Sequence, residues 1–105
     1  KALLAHPLDR WERFTRTTAA RYKGRIPAYE IINEPCFSLH PDYYIPILKT
    51  AYRAIKEADP EALVAELLST DFQSDHGPWI RACNELGGLS FCDVISFHPY
   101  ASIGL

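Results

Sequence analysis

Methionine is missing altogether from this 105-residue chain, which begins at Lys1. It is therefore expected to be a piece of a longer protein. Long apolar runs are missing too. Nothing approaches the roughly 18–20 residues that a membrane helix needs, so no membrane partner is expected. The segment Lys1-Ala2-Leu3-Leu4-Ala5-His6-Pro7 opens like a signal peptide, but the apolar stretch is too short and a charged helix follows it. Charge of one sign is also lacking. The formal net charge is −2, which gives no electrostatic footprint for nucleic acid or an anionic membrane. Cysteine is scarce: Cys36, Cys83 and Cys92 cannot all pair within the chain, and no CxxC or Cys/His spacing suggests zinc or another metal. Small buried or half-buried thiols are expected, with one intrachain disulfide left open. No GxGxxG, P-loop or G-x-S-x-G is present, so dinucleotide, nucleotide and serine-hydrolase chemistry lack their mechanical parts. Low-complexity segments and linkers are absent as well. The length suits one small domain, 1–105, with a real core.

What is present divides by periodicity. Asp9 is a candidate N-cap for a helix to about Lys23, ended by Gly24. Trp11, Phe14, Thr18, Ala19 and Tyr22 form its apolar stripe. A strand follows at about Ala28 to Asn33, and a loop covers Pro35 to Pro41. A second helix runs to about Ala58, with Ile45, Leu48, Tyr52 and Ile55 as its buried stripe. Pro46 fits best near the first turn of the regular helix, with Asp42-Tyr43-Tyr44 as a looser entry. A second strand spans about Ala62 to Ser69, and a polar loop runs from Thr70 to Pro78. The third helix runs from Trp79 to about Leu86 and the last strand from Asp93 to Phe97. The order α-β-α-β-α-β predicts an α/β fold with parallel strands and right-handed crossovers.

In parallel α/β folds ligands bind at the carboxyl ends of the strands. The residues gathered there are Asn33, Glu34, Ser69, Thr70, His98 and Tyr100. Ile26-Pro27-Ala28-Tyr29-Glu30-Ile31-Ile32-Asn33-Glu34-Pro35 reads as a short strand that presents an amide and an acid before proline stops the ladder. In the last strand Val94, Ser96, His98 and Tyr100 share parity, so Ser96 and Val94 lie beneath a site-facing His98. In the first strand Glu30, Ile32 and Glu34 share parity. A charged Glu30 one layer below Glu34 needs a partner or water.

Tyr-Glu-Ile-Ile-Asn-Glu-Pro (29–35) and Asp-Val-Ile-Ser-Phe-His-Pro-Tyr (93–100) together resemble strands four to six of a clan A glycoside hydrolase. The flavour is that of family 5 cellulase-like or family 39 xylosidase-like enzymes. Arg21-Tyr22-Lys23-Gly24-Arg25 and Ala54-Ile55-Lys56-Glu57-Ala58-Asp59-Pro60 fit the approaches to the first and second of these strands. The resemblance implies parallel βα units that form part of a TIM (β/α)8 barrel. It also implies a retaining O-glycoside hydrolase acting on a poly- or oligosaccharide without a cofactor. Glu34 matches the general acid/base, Asn33 the residue that binds the sugar 2-hydroxyl, His98 a residue lining the cleavage subsite, and Tyr100 a tyrosine that orients the nucleophile. Such chemistry needs two carboxyl groups about 5–5.5 Å apart. The clan's nucleophile stands at the end of the seventh strand, and a whole barrel takes about 250 residues. The chain is thus expected to be an internal fragment, inactive alone. Glu66, mid-strand, and Asp71 and Asp75, on a loop, are poor stand-ins for the nucleophile.

Blander roles compete for each residue. Glu34 can be a solvated strand-end acid, Asn33 a turn residue, His98 a structural histidine and Tyr100 a packing residue on the rim. Phe37, Phe72 and Trp79 can stack on sugars but more commonly pin loops. His40 and His76 suit capping or solvation. Two other functions are open: a carbohydrate-binding barrel without catalysis, and a structural half-barrel that pairs with another chain. Three adjacent parallel strands leave open edges and an uncovered face, through which the chain is expected to self-associate.

Overall fold

The computed structural model describes residues 2–69 and 76–98, with side chains described for 8–66 and 76–98. Three helices, α1 (Ala2–Arg21), α2 (Pro41–Ala58) and α3 (Gly77–Glu85), alternate with three strands, β1 (Ala28–Glu30), β2 (Leu63–Ser69) and β3 (Val94–Phe97). Short 3-10 turns at Pro35–Phe37 and Gly88–Phe91 complete the described elements. The strands form one parallel sheet in the order β1-β2-β3. The alternation expected from sequence is therefore an open α/β sheet.

Several boundaries differ from the sequence reading. The first helix begins at Ala2, so Asp9 lies inside it and is no cap. Its inward residues are Thr15 and Ala19, with Trp11 half-buried, whereas Phe14 is 62% exposed and Tyr22 also faces solvent. The reason is its neighbour: α1 packs chiefly on α2 rather than flat on the sheet. Arg16 bridges the two helices by pairing with Glu12 and Glu57. In α2 the regular helix starts at Pro41, not at Pro46, and His40 caps it by accepting the Asp42 N–H at 3.2 Å. Proline suits the first helical position because no partner awaits its missing N–H. Pro46 instead lies within the helix and leaves the Asp42 carbonyl without its usual donor.

The core lies between the sheet and α2, where Tyr44, Leu48, Ala51 and Val64 are fully buried. Each large side chain buried there contributes about 1.5–3 kcal/mol. Partners in a parallel register point to the same side of the sheet. Tyr29 with Val64, and Glu66 with Ile95, thus belong to the helix-covered face. Ala28 with Leu63, and Glu30 with Ala65 and Val94, belong to the opposite, open face. Glu30 is exposed there, so water solvates its charge.

Two acids, Asp59 and Asp93, fasten the amino ends of the strands. Asp59, 3% exposed, accepts from the N–H groups of Gly24 and Glu61. Asp93 accepts from the Val64 N–H at 2.8 Å and pairs with Lys56 at 2.7 Å, while Lys56 also donates to the Ala62 carbonyl. No described helix is long and apolar enough to cross a membrane.

Candidate functional site at the carboxyl ends of the strands

The strand carrying Asn33-Glu34-Pro35 is shorter than its sequence suggests. Ladder pairing ends at Glu30, and Ile32 to Glu34 form a bend. Glu34 adopts φ 47°, ψ 56°, the only described non-glycine residue with positive φ. Pro35 disfavours right-handed helical backbone at the residue before it. Its own ring is buried and opens the 3-10 turn, in which Phe37 N–H donates to the Glu34 carbonyl at 3.2 Å. Glu34 is thus turned out of the strand at a fixed point, at a conformational cost of about 1–2 kcal/mol.

That turn brings Glu34 to His98. Glu34 Oε2 lies 2.9 Å from His98 Nδ1, and the two side chains are 28% and 27% exposed. His98 follows β3, which is not adjacent to β1, so the contact spans the width of β2. Strands two apart are about 10 Å from each other. The side chains meet above the end of the intervening strand, on the side where the parity of Val94 and Ser96 places His98. The pair has room for one shared proton: either Nδ1–H donates to the carboxylate or a protonated carboxyl donates to Nδ1. Partial exposure leaves the acid reachable from solvent. Asn33 stands beside it, exposed.

Three of the four site residues expected from sequence therefore lie at one rim, and two of them touch. Tyr100 lies outside the described residues, as do Thr70, Asp71, Phe72 and Asp75; the Ser69 side chain does too. Phe37 packs edge-on against His76 at 4.8 Å between centroids. Trp79 donates its indole N–H to the Leu39 carbonyl at 2.8 Å and tilts against Tyr44. Trp79 thus pins the loop before α2.

Glu66 is the residue that the sequence reading passed over as merely mid-strand. It is fully buried, yet its Oε2 accepts the Ile32 N–H at 2.7 Å. Its Oε1 is buried without a hydrogen-bond partner. Burial pushes the carboxyl up to about 7, against the opposing pull of the Ile32 N–H and the Tyr44 hydroxyl, and the Glu30 charge adds to the rise. A charged residue inside the apolar run Leu63-Val64-Ala65-Glu66-Leu67-Leu68 was the available signal. No disulfide joins Cys36, Cys83 or Cys92. Burial, with Cys36 nearby, pushes Cys83 up to about 12, and burial followed by the Asp93 and Glu66 charges raises Cys92. Both are poor nucleophiles at neutral pH. Among the described residues, no three His, Cys, Asp or Glu side chains gather as a metal-binding set.

No protein-family model, curated protein or solved structure matches this chain.

Proposed function

We propose that this chain supplies strands four to six of a (β/α)8 barrel in a retaining O-glycoside hydrolase of clan A, acting on a poly- or oligosaccharide. Glu34 is the general acid/base. It protonates the leaving glycosidic oxygen and then takes a proton from the attacking water. Asn33 binds the sugar hydroxyl next to the reacting carbon. His98 lines the cleavage subsite and holds Glu34 in place, and Tyr100 orients the nucleophile. The nucleophilic carboxylate comes from outside this chain, so the chain alone turns over no substrate.

The observation that carries this reading is the 2.9 Å contact between Glu34 and His98 at the carboxyl ends of two parallel strands. A solvated strand-end glutamate has no reason to adopt left-handed backbone and reach across a strand. An acid that must be aimed at a substrate oxygen does. The partner histidine can give or take the proton that the acid exchanges with substrate.

The test uses the longer protein that contains these residues. Glu34→Gln is expected to lower hydrolysis of an unactivated disaccharide by about 10²–10⁴-fold, the usual contribution of general acid catalysis. Aryl glycosides whose leaving group needs no proton are expected to lose far less in the glycosylation step. Equal losses on both substrates, or none, would sink the acid/base assignment. Measurable sugar binding that survives Glu34→Gln, with no turnover by the longer protein, would favour the non-catalytic carbohydrate-binding reading.

A structural half-barrel that pairs with another chain is the second reading. The exposure of Leu63, Val94, Ile95 and Phe97, 43–55% each, favours it. Covering surface supplied by a separate chain satisfies these residues as well as further barrel strands do.

A further inference from the structure

Glu66 stands at an unusual point in the sheet. The last ladder pair between β1 and β2 is Glu30 with Ala65. One residue further along β2, the Glu66 side chain takes over from the main chain and accepts the Ile32 N–H at 2.7 Å. From Ile32 the chain passes through Asn33 to Glu34 and then to the buried Pro35. Asn33 and Glu34 are thus suspended between two fixed points: the carboxyl of Glu66 on one side and the ring of Pro35 on the other.

Stability alone does not account for a carboxyl here. It is fully buried, and no salt bridge to it is found among the described residues. Its second oxygen has no hydrogen-bond partner. An apolar side chain of the same size avoids that desolvation cost. What an apolar side chain cannot do is accept the Ile32 N–H where β1 leaves the ladder, or take the Tyr44 hydroxyl from α2.

We infer that Glu66 is a positioning residue: by holding the Ile32 amide it fixes the exit of β1 and thereby the contact between Glu34 and His98. The inference rests on the glycosidase reading only in giving that contact a use. The geometry it describes is independent of substrate. The titratable groups that face Glu66 are Tyr44 from α2 and Cys92 at the entry to β3, and the charge of Glu30 on the opposite face of the sheet also acts on it.

The experiment is NMR on the chain with its Ile32 amide, Glu66 carboxyl and His98 ring assigned. In Glu66→Leu, amide exchange at Ile32 is expected to speed up by at least about tenfold, the loss of one buried hydrogen bond. The His98 ring signals are expected to shift, while the amides of Val64 and Asp93 at the other end of the sheet keep their protection. Unchanged Ile32 or His98 signals in a folded Glu66→Leu variant overturn the inference, and so does equal loss of protection at both ends. Should that variant fail to fold, the wild-type titration decides. The Ile32 amide and the His98 ring must both follow the ionisation of the Glu66 carboxyl, and Glu66→Gln must abolish that inflection in both. A His98 ring that does not follow it overturns the inference. Adding cellobiose or xylobiose separates the two claims. If Glu66 governs His98 but no sugar moves the Asn33 or His98 signals, the carbohydrate reading fails and the positioning role stands.

Discussion

At the scale of single residues, the buried Glu66 of β2 and the partly exposed Asp93 just before β3 respond to pH in opposite directions. The Glu66 carboxyl lies at about 7 in the folded chain against an ordinary 4.5, chiefly because burial disfavours its charge. Between those two values the unfolded chain has released this proton and the folded chain has not. Stability therefore falls as pH rises through that window, by on the order of 3 kcal/mol from this one group, and the loss is complete above about 7. Glu66→Gln keeps an oxygen for the Ile32 N–H and has no charge to bury. It is expected to flatten this decline and to be the more stable protein at pH 8, measured by urea unfolding at pH 5 and pH 8. Parallel pH profiles for the two proteins would refute the raised value. Asp93 behaves the other way. Burial pushes its carboxyl up, but the Lys56 ammonium and the Val64 N–H outweigh burial and leave it below the usual range. Its contribution is present above the unfolded value of 3.8 and is lost as pH falls through the lower folded value. Asp93→Asn is expected to cost about 1–3 kcal/mol at pH 7 and to leave less acid sensitivity below pH 4. A variant as stable as wild type at pH 7 would show that the Lys56–Asp93–Val64 clamp contributes nothing.

At the scale of elements, the bend after β1 is where sequence and structure part company. The alternation in Ala28-Tyr29-Glu30-Ile31-Ile32-Asn33 suits a six-residue strand, and the physical chemistry of Pro35 stops it. What the pattern could not reveal is that a side chain from the neighbouring strand, Glu66, takes the Ile32 amide and ends the ladder three residues early. Such a bond depends on tertiary contact and has no local signature. The start of α1 was misplaced for a related reason. Asp9 has the chemistry of a cap, yet capping preference is a local term that an established helix overrides. The rim residues were legible because they sit at strand ends, a position that the α-β order fixes without any knowledge of packing. The contact between Glu34 and His98 was implied only to the extent that both belonged to that rim. The left-handed backbone of Glu34 gives its own prediction. Glycine normally weakens a structured position relative to alanine, but it adopts positive φ freely whereas alanine does not. Glu34→Gly is therefore expected to be more stable than Glu34→Ala by about 1 kcal/mol, reversing the usual order. Thermal unfolding of the two variants checks this. Alanine equal to or above glycine would mean that the bend relaxes when the carboxylate is removed.

At the scale of the whole molecule, the dimensions of 46 × 35 × 20 Å and a radius of gyration of 14.6 Å describe a slab. A compact domain of this length has a radius of gyration of about 13 Å. A thickness of 20 Å accommodates one sheet and one layer of helices, each about 10 Å deep. The consequence is concentrated at β3. Ile95 and Phe97, on the helix side, are 55% and 53% exposed, and Val94, on the open face, is 43% exposed beside Leu63. Apolar exposure on both faces of one edge strand drives association. The chain by itself is therefore expected to self-associate with rising concentration, and Ile95→Lys with Phe97→Glu is expected to shift it towards monomer. Both side chains are more than half exposed, so thermal stability at low concentration should fall by no more than about 1 kcal/mol. Sedimentation velocity across a concentration series reads the first expectation and thermal unfolding the second. A wild-type chain that stays monomeric throughout would mean that the edge is protected by residues outside those described. A doubly substituted chain that still associates would move the interface to the open face, where Leu63 and Val94 remain.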